Sequence, residues 1–222
     1  QMGLFLDGNG IPVCMDVFRG NMSDSDTLKE NLDGFKKEYG IKRTVVVADK
    51  GMNCSHNIDL LCSQGDGYVF SQILKGTKGK RYHKELFDPE GWYSSGNGEY
   101  RWKLITEEYK GNEIQFETRD GERVEKKKAV KRMRKVLLYW SKADAGMAAR
   151  KREEKLKRAE KSTENNAYGI AHGKDRYLKE ETVLKGTGEI LDQGQVAKVS
   201  VVDREKAEND AMYDGYFAII TS

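Results

Sequence analysis

The apolar positions of this chain change period several times, and each change marks an element. Met2 to Leu6 and Ile11 to Phe18 are extended apolar stretches on either side of Asp7-Gly8-Asn9-Gly10. That turn supplies the positive φ angles a tight hairpin needs. Pro12 cannot donate to a ladder, so it belongs at the start or the exposed edge of its strand. Leu28, Leu32, Phe35 and Tyr39 then recur at helical spacing, behind the capping run Ser23–Thr27 and before Gly40. In Thr44–Met52, Val45, Val46, Val47 and Ala48 form a short β-branched run that stops at Asp49-Lys50-Gly51. This predicts a strand buried on both faces. Asn53 or Ser55 can cap a second helix carrying Ile58, Leu60 and Leu61. It is closed by Gly65-Asp66-Gly67 and followed by the strand Tyr68–Ser71. The order is hairpin, helix, strand, helix, strand, and residues 35–72 are expected to hold parallel strands joined by helices.

The texture changes at Lys75. Gly76-Thr77-Lys78-Gly79-Lys80-Arg81 lacks the spacing of a phosphate-binding loop and reads as a flexible, solvated linker. Residues 99–140 read as short strands, with a hairpin turn expected at Lys110-Gly111-Asn112. Glu125–Lys135 is the densest basic run, and the apolar strand Val136–Trp140 after it is expected to be buried. Ser141 caps a long helix that runs to Asn165, with i,i+4 pairs Glu153–Lys157 and Glu154–Arg158. Its few small apolar residues predict a helix lying over the surface on one thin contact stripe. Residues 168–200 read as short strands broken at Gly186, Gly188 and Gly194, and Tyr216–Ile220 as a last apolar strand.

Composition narrows the class. Of 222 residues, 37% are apolar and 34% charged, enough for a modest core. No run approaches the roughly 20 apolar residues of a membrane span, and no amino-terminal signal is evident. Cys14, Cys54 and Cys62 are odd in number and lack metal-ligand spacing, which favours a reduced, cytoplasmic setting. Residues 1–74 carry seven Lys/Arg against ten Asp/Glu, whereas residues 75–210 carry thirty-two against twenty-five. An acidic centre beside a basic arm suits a metal site next to a polyanion, and also suits an ordinary solvated surface.

Two features carry candidate chemistry. Asp49 ends a strand, where open α/β sheets place ligands and metals; Asp is equally at home opening a turn. Lys126, Lys127, Lys128, Lys131, Arg132, Arg134 and Lys135 could contact nucleic-acid phosphates, or they could be lysines guarding a strand edge. Trp92, Trp102 and Trp140 could stack on bases or serve as packing residues. His56, His83 and His172 show no paired spacing.

Four stretches taken together resemble the catalytic region of bacterial insertion-sequence transposases of the Asp-Asp-Glu class. They are Gly3–Asp7 through Gly10–Val13, Phe18–Asn21 with Ser23-Asp24 and Thr27-Leu28, Val46–Met52, and Tyr213–Thr221. The resemblance implies an α/β, incomplete ribonuclease H-like core over residues 1–74 with a returning core strand at 211–222. Residues 75–210 would be the β-rich, long-helix insertion. It implies a metal-dependent polynucleotidyl transferase that cleaves and transfers DNA strands. Its cofactor would be Mg²⁺ (or Mn²⁺), its partners the element ends and target DNA, and the complete enzyme a nucleoid-associated homodimer. Asp49 matches the second acid of the triad, a catalytic residue and metal ligand. The first acid belongs to a strand before the hairpin and the third to a helix after Tyr216–Ile220. Asp7 and Asp16 match neither. This chain is thus expected to be an internal fragment, inactive alone. The alternatives are a DNA-binding remnant without chemistry, or a free-standing α/β binding domain.

Overall fold

A computed structural model describes residues 2–17, 24–119, 122–165, 176–184 and 196–222. In chain order the elements begin β1 (Met2–Leu6), β2 (Pro12–Val17), α1 (Asp24–Tyr39), β3 (Val45–Ala48), α2 (Ser55–Ser63) and β4 (Gly67–Gln72). They continue α3 (His83–Phe87), β5 (Tyr93–Ser94), β6 (Tyr100–Arg119), β7 (Glu122–Ser141) and α4 (Lys142–Asn165). The last are β8 (Leu178–Leu184), β9 (Val196–Val202), α5 (Arg204–Ala211) and β10 (Tyr216–Thr221). The fold is mixed α/β. β1–β2 and β8–β9 are two-stranded sheets, and the other strands form one sheet in the order β3-β4-β10-β7-β6-β5. The chain divides into two compact units, one of residues 1–91, 102–138 and 217–222, the other of residues 92–101 and 139–216.

In the first unit, β1 and β2 pair antiparallel with Leu4 opposite Met15. Asp7 closes the turn, its Oδ1 accepting the backbone N–H groups of Asn9 and Ile11, each at 2.8 Å. Pro12 opens β2, where a missing donor does least harm. β3 and β4 run parallel, from Val45 opposite Gly67 to Ala48 opposite Phe70. β10 joins β4 antiparallel, with Ala218 opposite Gln72. Leu32, Phe35, Ile58, Leu61, Phe70 and Ile220 are among the buried residues.

Several expectations give way here. β3 is an edge strand, and Val45 and Val47 are 60% and 75% exposed, so the valine run is not buried on both faces. β6 passes straight through Lys110-Gly111-Asn112, and the β-rich region consists of two 20-residue strands rather than several short ones. Gly111 serves a close approach instead of a turn, since a Cβ there would stand 2.6 Å from Asp59 Oδ1. Nor is residues 76–81 a free linker. Gly79 N–H donates to the Gly76 carbonyl at 3.1 Å, and a short 3₁₀ turn delivers Tyr82 into the interior. A Cβ at Gly79 would fall 1.8 Å from the Leu74 carbonyl oxygen. Helix α2 is capped by Cys54, not by Asn53 or Ser55: its Sγ accepts the Asn57 N–H at 3.5 Å.

In the second unit, Ser141 Oγ accepts the Asp144 N–H at 3.3 Å and starts α4. Ala159 is buried with Tyr177 and Ala207, flanked by Leu156, Leu178 and Val202, the thin stripe expected of this helix. Glu153 and Lys157 pair at 2.7 Å, while no ion pair joins Glu154 to Arg158. β8 and β9 form a hairpin from Leu178 opposite Val202 to Leu184 opposite Val196; Gly186, Gly188 and Gly194 lie outside the described residues. α5 was not expected from the sequence. Asp203 caps it, Oδ1 accepting the Lys206 N–H at 3.0 Å.

Candidate functional site

Strand β3 ends at Ala48, and Asp49 follows in extended conformation as the cap of a 3₁₀ turn, Lys50–Met52. The parallel pairing of β3 with β4 puts the carboxyl ends of both strands side by side, so Ser71 and Gln72 continue from the position opposite Ala48. Asp49 Oδ1 accepts the Lys50 N–H at 2.7 Å. That bond first, then the Ser71 hydroxyl, then the Lys50 charge, hold the Asp49 carboxyl below the usual carboxylate range against a slight opposing effect of burial. Asp49 therefore stands at the strand end as an exposed, ionised carboxylate.

The loop behind it is tied down. Asn53 Nδ2 donates to the Ser71 carbonyl at 2.8 Å and to Gln72 Oε1 at 3.0 Å. Asn57, buried at the start of α2, donates through Nδ2 to the Met52 carbonyl at 3.1 Å. The Asn53 amide ties the loop after Asp49 to the carboxyl end of β4, and the Asn57 amide ties it to the start of α2.

A divalent ion held for phosphoryl chemistry needs several hard oxygen ligands. Among the described residues no group of three His, Cys, Asp or Glu side chains could hold a metal ion. Asp49 by itself does not fit a complete Mg²⁺ or Mn²⁺ site. Asp7 is engaged in its turn, and Asp16 lies in β2 opposite Gly3.

The basic run lies on β7, and the structure separates its members. Arg134 is 5% exposed. Its Nε donates to Glu107 Oε1 at 2.6 Å and its terminal nitrogen to the Tyr82 hydroxyl at 3.2 Å, while the guanidinium lies 4.6 Å from the Tyr109 ring centre. Arg132 donates to the Asn112 carbonyl at 3.2 Å. These two arginines belong to the framework of the first unit. Lys126 pairs with Glu117 and Lys131 with Glu108, each at 2.9 Å, and Lys127 approaches Glu125 at 3.9 Å. Lys128 and Lys135 are exposed without an ion pair among the described residues.

The tryptophans divide as well. Trp140 and Trp92 flank the Arg101 guanidinium, 4.4 and 5.7 Å from their ring centres, and Trp140 Nε1 donates to the Asp214 carbonyl at 3.1 Å. Both are packing residues of the second unit. Trp102 keeps an exposed surface.

No sequence motif marks Asp59, Tyr82 or Glu107, and Arg134 is marked only as one cation of the basic run. Asp59 stands out as the one acid among Ile58, Leu60 and Leu61, whereas Glu107 and Arg134 lie among other charged residues. No described helix is long and apolar enough to cross a membrane. No protein-family model, curated protein or solved structure matches this chain.

Proposed function

We propose that the chain is part of the catalytic region of an Asp-Asp-Glu transposase, with Asp49 the middle acid of a metal-binding triad. The observation that carries the reading is the open edge of β3 beside that acid. Val45 and Val47 on this strand are largely exposed, although an apolar β-branched edge invites pairing and natural sheets ordinarily cover or charge it. In the family that the sequence resembles, the strand bearing the first acid lies between the hairpin and the strand of Asp49. Among the described residues no strand pairs with the outer edge of β3, which supports this reading. The parallel β3–β4 pair and the return of β10 beside β4 agree with the same core.

On this reading Asp49 would be one oxygen ligand of a divalent cation, Mg²⁺ or Mn²⁺, completed by two further acids, and the cation would supply Lewis-acid chemistry at phosphorus. The contribution of this chain is a fixed, ionised carboxylate, oriented by the Lys50 N–H and Ser71. One acid is too few for the reaction, so the 222-residue chain is expected to be inactive alone. The test is Mg²⁺-dependent nicking of DNA by this chain and by any longer protein that contains it, with and without Asp49→Ala.

A further inference from the structure

The basic run on β7 was the obvious place to look for a polyanion contact, yet most of its charges already have carboxylate partners. Helix α4 is different. Arg150, Lys151, Lys155, Arg158 and Lys161 are all exposed and make no ion pair among the described residues. Of the acids between positions 150 and 161, Glu153 pairs with Lys157 and Glu160 with Arg204, while Glu154 makes no ion pair among the described residues. Arg152 is engaged with Asp214.

Helical geometry places these cations together. At about 100° per residue they span an exposed arc of α4 from Arg150 and Lys161, opposite Leu156 and Ala159, round to Lys155 at the border of that apolar stripe, and positions 151, 155 and 158 form one i, i+4, i+7 row. Their side chains are spaced by about 6 Å or less along a rod of 24 residues.

We propose that the solvent face of α4 is a sequence-independent docking surface for the phosphate backbone of a nucleic acid. Three observations select this occupant. The face carries cations in excess along a straight line, which suits a linear array of phosphates and offers no shaped pocket for a compact anion. It presents almost no apolar surface except Met147, so it lacks the buried apolar side that anchors an interfacial helix in lipid. The apolar stripe of α4 is turned instead onto Tyr177 and Ala207 of its own unit. The inference rests on the DNA-handling reading above for the choice of nucleic acid. It does not depend on Asp49.

The experiment measures anisotropy of a labelled random-sequence DNA duplex titrated with the whole chain across a series of KCl concentrations. One variant carries Lys151→Gln, Lys155→Gln and Arg158→Gln. A second removes the same charge elsewhere, with Lys127→Gln, Lys128→Gln and Lys135→Gln. The expected result is binding whose log–log salt slope falls in magnitude by about 2–3 in the α4 variant, since each lost phosphate contact removes about 0.9. The β7 variant keeps nearly the parent slope. Restoring charge with Lys151→Arg, Lys155→Arg and Arg158→Lys should restore the slope, and thermal melts establish that every variant is folded. Equal losses in both triple variants would overturn the proposal, because net charge alone would then explain binding. So would an unchanged α4 variant, no binding by the parent chain, or displacement of the duplex by polyglutamate at equal charge concentration. None of these outcomes touches Asp49, whose role is read separately through nicking.

Discussion

Asp59 holds Asn112 by two hydrogen bonds: Oδ1 accepts the Asn112 backbone N–H and Oδ2 its side-chain amide, each at 2.8 Å. One turn further along α2, Ser63 Oγ accepts the Ile114 N–H at 2.8 Å. Residues i and i+4 of a helix thereby satisfy N–H groups i and i+2 of a strand, two spacings that are both about 6–7 Å. A helix side thus pairs backbone donors that no neighbouring strand takes.

Asp59 is 3% exposed, so removing its carboxylate strands a donor with no access to water. Asp59→Ala is expected to lower stability by about 2–3 kcal/mol in urea unfolding. Gly111→Ala, which pushes a Cβ towards the same oxygen, should cost about 1–3 kcal/mol. Because the two share one contact, the double variant should lose less than the sum. Strict additivity would show that the contact does not couple them.

The cluster of Tyr82, Glu107 and Arg134 makes a prediction in alkaline solution. Burial first, then the hydrogen bond to Glu107, push the Tyr82 hydroxyl up to about 12. A raised acid holds its proton in the folded state after the unfolded state has lost it. Its contribution is therefore complete below pH about 10 and is lost as pH rises towards about 12. Unfolding followed across this window should show a steeper decline for the parent chain than for Tyr82→Phe. Parallel declines would contradict it.

Arg134→Ala leaves Glu107 without its partner in a largely enclosed setting and should cost about 3–5 kcal/mol. Lys128→Ala and Lys135→Ala, on the same strand but exposed, should change stability by no more than about 0.5 kcal/mol. Chemical denaturation of the three variants separates framework from surface.

How far the sequence could be read follows from this contrast. Period-two and helical patterns located β1, β2, α1, β3, α2, β4 and α4, because local turn and capping residues agree with them. What was missed depends on distant partners. Gly111 looks like a turn residue until Asp59 is brought against it, and Arg134 looks like one more surface cation until Glu107 and Tyr82 enclose it. The valines of β3 promised burial, which a strand obtains only from neighbours. Asp49 was legible as a strand-end acid, whereas its fixing by Ser71 and Asn53 required β4 to be in place.

The exposed β3 edge predicts behaviour at high concentration. Val47→Lys should reduce self-association seen by light scattering while leaving the unfolding midpoint nearly unchanged, within about 0.5 kcal/mol. Association that is identical in parent and variant would place the sticky surface elsewhere.

Asp49 should titrate below 3.8, and Ser71→Ala should move it upward. A depressed carboxyl contributes stability above its ordinary range and loses it as pH falls through the folded value, so any effect appears only in acid. Carboxyl-carbon NMR across pH reads both quantities; a normal or elevated value would remove the fixed carboxylate from the account.

The most direct test of Asp49 as one acid of a DNA-cleaving triad is nicking of supercoiled plasmid in Mg²⁺. The 222-residue chain should leave the plasmid intact. A longer protein that contains this chain together with two further triad acids should nick it, and Asp49→Ala should abolish that activity. Nicking by the longer protein that survives Asp49→Ala, or nicking by the short chain alone, would contradict the account.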